Sequence, residues 1–340
     1  MKKAIVTGIT GQDGAYLAKF LLEKGYEVHG AVRRSSTDNL WRIQELGIDK
    51  NPNLKIFDFD LTDAGSAFRM LLEIKPDEVY NLAGQSSVPI SFKTPFSTAE
   101  INALGPLNLL EAIRSINPKI KMYQASTSEM YGKVQENPQK ETTPLYPRSP
   151  YGVAKVFAHY MVNNYRESYG LHASCGILFN HESILRGEKF ATRFTSIAVA
   201  KLKLGLIESF ATGNLEAKRD WGEASEYVEG MWMMLQQDVP DDYVLATGIT
   251  TSVRDFTLMT LRHAGFDPEC IGNGLDEKIV DKNTKKILVT IDPVFYRPAE
   301  VDYLLGDPTK ARKILGWEAK VSVEQLCKIM YEKELERLSK

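Results

Sequence analysis

The turn that follows the first apolar run constrains this chain more than any other feature. Residues 4–8, AIVTG, are short, apolar and rich in β-branching, and read as a buried parallel strand. Gly8, Gly11 and Gly14 follow at intervals of three, and a helical pattern then runs from Ala15 to Lys24. Glycine at a strand-to-helix turn lets the backbone turn tightly and approach a pyrophosphate, which rests on the helix N-terminus. A glycine-rich loop alone would carry little weight, and the place of this one, after a first strand, makes it a dinucleotide turn. Thr10, Gln12 and Asp13 belong to the same turn and read as cofactor contacts with it.

Apolar strands and helical stretches then alternate. Strands are expected at 27–33, 54–61, 77–84, 121–127 and 174–180. A helix is expected to begin at Ser149-Pro150, a good N-cap followed by a residue tolerated at the first helical position, and to run to about Tyr169. Repeated strand–helix–strand units imply an α/β fold with a doubly wound parallel (Rossmann) sheet. The chain has 340 residues, more than one usual domain. We expect a cofactor-binding domain at 1–180, with later returns to the sheet, and a smaller, mainly substrate-binding domain at 181–340. That part, with its Gly-rich charged stretch from Gly272 to Lys286, is expected to close over the carboxyl ends of the strands, where ligands sit in open α/β sheets.

The second strand runs into Arg33, Arg34, Ser35 and Ser36, where an NAD enzyme would carry an acidic residue for the ribose 2′-hydroxyl. Two guanidiniums and hydroxyls suit a 2′-phosphate, so NADP is expected. Asp60 and Leu61 close the third strand near an adenine, and Leu82, Ala83 and Gln85 close the fourth under the rest of the dinucleotide.

Tyr151 and Lys155 stand one helical turn apart, so an ammonium lies near a phenol and is expected to lower its pKa. A tyrosinate so made takes a hydroxyl proton as hydride leaves the same carbon. The spacing is common by chance. Here the strand ending STSEMYG delivers Thr127, Ser128 and Glu129 to the same edge.

TGITGQDG, NLAGQS, ASTSEMYG, PRSPYGVAK, FNHES, AKRDWG and RPAEVD together resemble the extended short-chain dehydrogenase/reductase family, and within it the nucleotide-sugar 4,6-dehydratases acting on GDP-mannose. The resemblance runs from Lys3 to Glu318. It implies that Tyr151, Lys155 and Thr127 are catalytic, and that Glu129 is the carboxylate that removes the C5 proton once C4 is a ketone. Water then leaves from C6 and the hydride returns there, giving a 4-keto-6-deoxy sugar with NADP regenerated. The resemblance also assigns His181 and Arg186 to the cofactor pocket, and Asn180, Lys218, Arg219, Arg297 and Glu300, with Ser86 and Ser128, to the sugar nucleotide. Ser128 is open between substrate contact and support of the strand end. Asp220 and Glu300 are equally readable as structural ion-pair partners.

One departure bears on the sugar. Where the family usually has proline after NHES, this chain has Ile184 and Leu185, expected near the hexose, which leaves GDP-manno-heptose open beside GDP-mannose. A nucleotide-sugar epimerase or 4-keto reductase would keep Tyr151 and Lys155 but need no Glu129; a protein that only holds NADP would need none of the four. The segment Arg34–Arg42 resembles one that reaches a neighbouring subunit's cofactor site, so a homotetramer, or else a dimer, is expected.

A formal charge of −2 excludes a general attraction to nucleic acid, and no apolar run approaches membrane-spanning length. Cys175, Cys270 and Cys327 are odd in number and widely spaced, which fits reduced thiols in a cytoplasmic protein rather than disulfides or a metal site.

Overall fold

The structure is a computed structural model and describes residues 1–36, 39–296, 301 and 303–340. Its first strands are β1 (Lys3–Thr7), β2 (Glu27–Val32), β3 (Leu54–Asp58), β4 (Glu78–Asn81), β5 (Lys121–Thr127) and β6 (Ala173–Leu178). There follow β7 (Asn180–Glu182), β8 (Phe210–Thr212), β9 (Lys218–Glu223), β10 (Asp242–Leu245), β11 (Thr250–Ser252), β12 (Pro268–Ile271), β13 (Lys278–Asp281) and β14 (Ile287–Ile291). Seven of these make one parallel sheet in the order β10-β6-β5-β4-β1-β2-β3. The strand order reverses between β1 and β4, which opens a crevice at the carboxyl edge there.

Each strand alternates its side chains between two covered faces. From β1, Ala4 and Val6 pack toward helices Gln12–Glu23 and Ala224–Gln236, through Leu17, Leu21, Met231 and Leu235. Ile5 points the other way, to helices Ala64–Ile74, Gly105–Ile116 and Pro150–Tyr169, through Leu71, Leu109 and Val162. That is the doubly wound arrangement expected from the alternation.

Boundaries shift for local reasons. The first helix starts at Gln12 rather than Ala15, because the glycine turn is itself the first turn of the helix. β3 stops at Asp58, short of residue 61: the Asp60 carboxylate accepts from the Thr62 N–H (2.9 Å) and hydroxyl (2.7 Å), closing a turn in place of a ladder. Ser149 caps Pro150–Tyr169 by accepting from the Gly152 N–H (3.0 Å), as its sequence requires.

The strand expected at 174–180 divides. β6 ends at Leu178, and Asn180–Glu182 leaves the main sheet to pair with β9. The chain returns to the main sheet through helix Ala224–Gln236 and β10, which lies parallel to β6. Two smaller sheets, β11-β9-β7 and β12-β13-β14-β8, occupy the second half, the latter containing the Gly272–Lys286 stretch. Among the described residues, no helix is long and apolar enough to cross a membrane.

Candidate active site

The glycine turn is built for close approach. Gly8 has φ +69°, and a Cβ there would lie 2.8 Å from the Ala83 nitrogen; one on Gly14 would lie 2.3 Å from the Gly8 carbonyl oxygen. Gly11, the N-cap, offers no side-chain cap, so the first N–H groups of Gln12–Glu23 are open to an anion. A dinucleotide pyrophosphate fits those open N–H groups, whereas a side chain at Gly8 or Gly14 would collide with the backbone that shapes the turn.

The side chains of Gln12 and Asp13 turn inward instead. His181 meets the Asp13 carboxylate through Nε2 (2.9 Å) and the Phe179 carbonyl through Nδ1 (2.7 Å), with its ring stacked on Tyr227. Gln12 donates to the His181 carbonyl (3.0 Å) and accepts from the Ser183 hydroxyl (2.8 Å). Burial opposes charge on both members of the Asp13–His181 pair, but each stabilises the other's charge: Asp13 is held down at about 2 and His181 is raised. With both ring nitrogens engaged by protein, His181 sets the position of the helix start.

Arg33, Arg34, Ser35 and Ser36 follow β2 and are all exposed, beyond β1 in the sheet order. Arg42, at the other end of the Arg34–Arg42 segment, folds back onto its own chain: it donates to the carbonyls of Thr10 (2.9 Å) and Leu185 (2.7 Å). Thr37 and Asp38 lie outside the described residues. Asp60 is exposed within the field of Arg33, and Leu61 is buried against Gly105. The Leu82 and Ala83 N–H groups both donate to the Thr7 hydroxyl (3.1 Å each). Gln85 turns its side chain to Ser87 and Thr98, while its backbone is clamped at both ends by Asn102 (2.8 Å each). Nothing in the sequence pointed to Asn102, which comes from a helical turn of its own.

Tyr151, Lys155 and Thr127 converge. Ser149-Pro150 starts the helix beside the end of β5, and Gly152 permits the approach: a Cβ there would lie 2.9 Å from the Glu129 carbonyl oxygen. Thr127, half-buried, hydrogen-bonds the Tyr151 hydroxyl and accepts from the Glu129 N–H (3.2 Å). The Glu129 carboxylate and the Arg186 guanidinium both act on the phenol through space.

The expected lowering of the phenol's pKa is not what this geometry produces. Burial pushes Tyr151 up to about 12; the Thr127 hydrogen bond and Arg186 offset it only in part, and Glu129 adds to it. Lys155, also buried, is driven down to about 8 by desolvation. Its Nζ donates to the Ala125 carbonyl (2.9 Å) and lies 5.9 Å from the Tyr151 ring centre. The dry site penalises both charged forms, and the ammonium is spent on a backbone oxygen rather than on the phenol. A buried cluster below, His159, Cys175 and Asp242, brings possible ligand atoms within 4.8 Å, but Asp242 already holds the Arg166 guanidinium (2.5 Å).

The chain matches the family model described as GDP-mannose 4,6 dehydratase over residues 5–330. It belongs to the GDP-mannose 4,6-dehydratase family. It is 53% identical to a GDP-mannose 4,6-dehydratase of Vibrio cholerae, covering 99% of this chain and 94% of that protein. To the Homo sapiens GDP-mannose 4,6 dehydratase it is 52% identical, covering 98% of this chain and 91% of the other. Its fold is similar to that of a solved UDP-glucose 4-epimerase of Thermotoga maritima (TM-score 0.83, 25% identity, 99% of each chain). It is also similar to a dTDP-glucose 4,6-dehydratase of Streptomyces venezuelae solved with NAD bound (TM-score 0.82, 20% identity, 99% and 98% of the two chains).

In this GDP-mannose 4,6-dehydratase family member, the residues expected at the sugar nucleotide spread along the same edge. Ser86 is exposed after β4; Ser128 is buried after β5; Asn180 begins β7 with its side-chain oxygen buried and unpartnered. Lys218 is exposed and Arg219 buried at the start of β9. Asp220 is structural: fully buried, it accepts from the Thr247 N–H and hydroxyl and the Gly248 and Gly306 N–H groups, joining β9 to two loops. Arg297 and Glu300 lie outside the described residues.

Ile184 and Leu185 do not face a hexose. Leu185 is wholly buried in the core beneath the first helix and Ile184 packs against that same core. Their carbonyls are taken by Arg337 (2.9 Å) and Arg42 (2.7 Å). The departure from the family pattern is a packing choice, made where the C-terminal helix Val323–Leu338 docks.

Proposed function

We propose that this enzyme is a hydro-lyase that converts GDP-mannose to GDP-4-keto-6-deoxy-mannose, with NADP bound at the glycine turn and regenerated in each turnover. The observation that carries it is Glu129: its carboxylate acts through space on Tyr151, and its backbone N–H donates to the Thr127 hydroxyl just past the end of β5. Oxidation and epimerisation need only the phenol. A dehydratase needs a second base, because the C5 proton must also be taken.

A nicotinamide cofactor held at the glycine turn would supply a hydride acceptor for C4 and a hydride donor for C6, and the positive charge of its oxidised form would favour the ionised phenol. Tyr151 takes the C4 hydroxyl proton, with Thr127 orienting that hydroxyl. Lys155, held by the Ala125 carbonyl (2.9 Å), lies one helical turn from Tyr151. Glu129 removes the C5 proton, made acidic by the C4 ketone, and delivers a proton to the departing C6 hydroxyl. Hydride addition at C6 is completed by a proton returned to C5, the equivalent of the one Tyr151 took from the C4 hydroxyl; one water leaves, and the sugar carries no net change in oxidation state.

NADP over NAD is supported by the exposed Arg33-Arg34-Ser35 run after β2, which suits a 2′-phosphate. The inward direction of Ile184 and Leu185 favours mannose over a manno-heptose, since neither widens a sugar site. A homotetramer is supported by exposed Val153, Phe157 and Tyr160 along one helix, near exposed Phe96 and Leu104 on segments packed against it. The free thiols Cys175, Cys270 and Cys327 fit a cytoplasmic setting.

Glu129→Gln tests the reading. C4 oxidation, seen as reduced nicotinamide, persists, while 4-keto-6-deoxy product falls by roughly 10²–10⁴-fold. Undiminished product would sink the assignment of Glu129.

A further inference from the structure

Across β1, β4, β5 and β6, one face of the main sheet carries an apolar register and then, two residues nearer the carboxyl edge, a polar one. Ile5, Val79, Met122 and Ala173 lie side by side across β1, β4, β5 and β6, all buried against the helices of that face. Two residues further along each strand, on the same face, the row reads Thr7, Asn81, Gln124 and Cys175. Thr7 and Asn81 are completely buried and Gln124 almost so. A hydroxyl and two amides in such a place are tolerated only if paired, because a buried polar group without a partner loses its hydration with nothing in return.

They are paired in one direction. The Thr7 oxygen accepts from the N–H groups of Leu82 and Ala83, so its single proton goes to the Asn81 side-chain oxygen (2.7 Å). That fixes the Asn81 amide, whose nitrogen donates to Gln124 Oε1 (2.8 Å). Gln124 Nε2 is then left for the Ala125 carbonyl (3.0 Å), the same oxygen that takes Lys155 Nζ (2.9 Å). The next residue, Ser126, meets Nδ1 of His159 (3.1 Å), one helical turn beyond Lys155. A chain of oriented hydrogen bonds therefore runs from the Leu82–Ala83 backbone, beside the glycine turn, to the catalytic ammonium.

Resting on the dehydratase reading, we propose that Gln124, backed by Asn81 and Thr7, is a positioning residue: it holds the peptide after Ala125 so that its carbonyl places the Lys155 ammonium. Sheet cohesion alone does not require the row. The apolar register beside it packs the same strands without a single polar atom.

Gln124→Met keeps length and removes both the donor and the acceptor. In the full-length enzyme with GDP-mannose and NADP, kcat falls by about 10-fold or more, the usual range for groups that orient a reactive one. KM for GDP-mannose stays close to wild type. The deuterium isotope effect at C4 rises, because the proton-coupled hydride step is the one slowed. Thr7→Val, nearly isosteric, breaks the far end of the row. It lowers kcat less and weakens NADPH binding, measured by fluorescence titration. A folded Gln124→Met enzyme with kcat near wild type overturns the proposal. So does a loss of kcat with an unchanged isotope effect and a lowered melting temperature, which marks a structural role. If Gln124→Met does not fold, the kcat and NADPH affinity of Thr7→Val decide, and wild-type values for both overturn it. Absence of 4-keto-6-deoxy product from wild-type enzyme refutes the dehydratase reading separately, and NADPH titration of Thr7→Val then still decides the row: unchanged affinity overturns it.

Discussion

Lys155→Met should destroy activity and stabilise the fold. The ammonium is buried, and desolvation brings its pKa from 10.5 to about 8. At pH 7 it is charged in both folded and unfolded chains, so the lowering from 10.5 to about 8 is a cost of roughly 3 kcal/mol to the folded state. Because the folded pKa lies below the unfolded one, that cost is full below about pH 8. It shrinks as pH rises toward 10.5, where the unfolded lysine also loses its proton. Methionine has a similar length and no charge. Against its gain stands the lost hydrogen bond to the Ala125 carbonyl, worth about 1 kcal/mol. The net expectation is about 2 kcal/mol of added stability at pH 7, fading by about pH 10. Equilibrium denaturant unfolding of cofactor-free wild type and variant, at several pH values, measures it directly. A variant less stable than wild type at pH 7, or a difference that does not shrink toward alkaline pH, would refute the claim that Lys155 is held in a dry site against its own solvation.

Further expectations are more local. Replacing Arg33 and Arg34 with alanine removes two exposed guanidiniums and should weaken NADP binding by roughly 10²-fold while barely changing NAD, measured by titration of each nucleotide. Leu185→Ala should cost about 2–5 kcal/mol in unfolding, as for a fully buried leucine, and leave the turnover ratio of GDP-mannose to GDP-manno-heptose unchanged; a shifted ratio would return the residue to the sugar site. Asp13, lowered from 3.8 to about 2 in the fold, contributes about 2 kcal/mol that is present above pH 3.8 and lost as pH falls toward 2. Asp13→Asn should remove that part of the acid-unfolding curve.

Features whose causes lie within a few residues are legible along the chain. A strand, a glycine turn and a helix in succession specify the cofactor edge, since only glycine tolerates the contacts made at Gly8 and Gly14. Ser149-Pro150 specifies a helix start, and the four-residue spacing specifies that Tyr151 and Lys155 share a face. The family motifs ranked Glu129 above its neighbours. Tertiary structure decided what those groups experience. Asp13 and His181 are 168 positions apart, and their meeting turns both toward each other. Ile184 and Leu185 look like loop residues in the chain, yet the core beneath the first helix and the docking of the last helix draw them inward. The phenol and ammonium read as an activating pair by spacing, but burial reverses the expected shift of Tyr151 and the Ala125 carbonyl claims Lys155. The polar row through Thr7, Asn81 and Gln124 joins three strands and was not legible along any one of them. Spacing sets which residues share an element, whereas desolvation and hydrogen-bond direction depend on what distant elements bring against it.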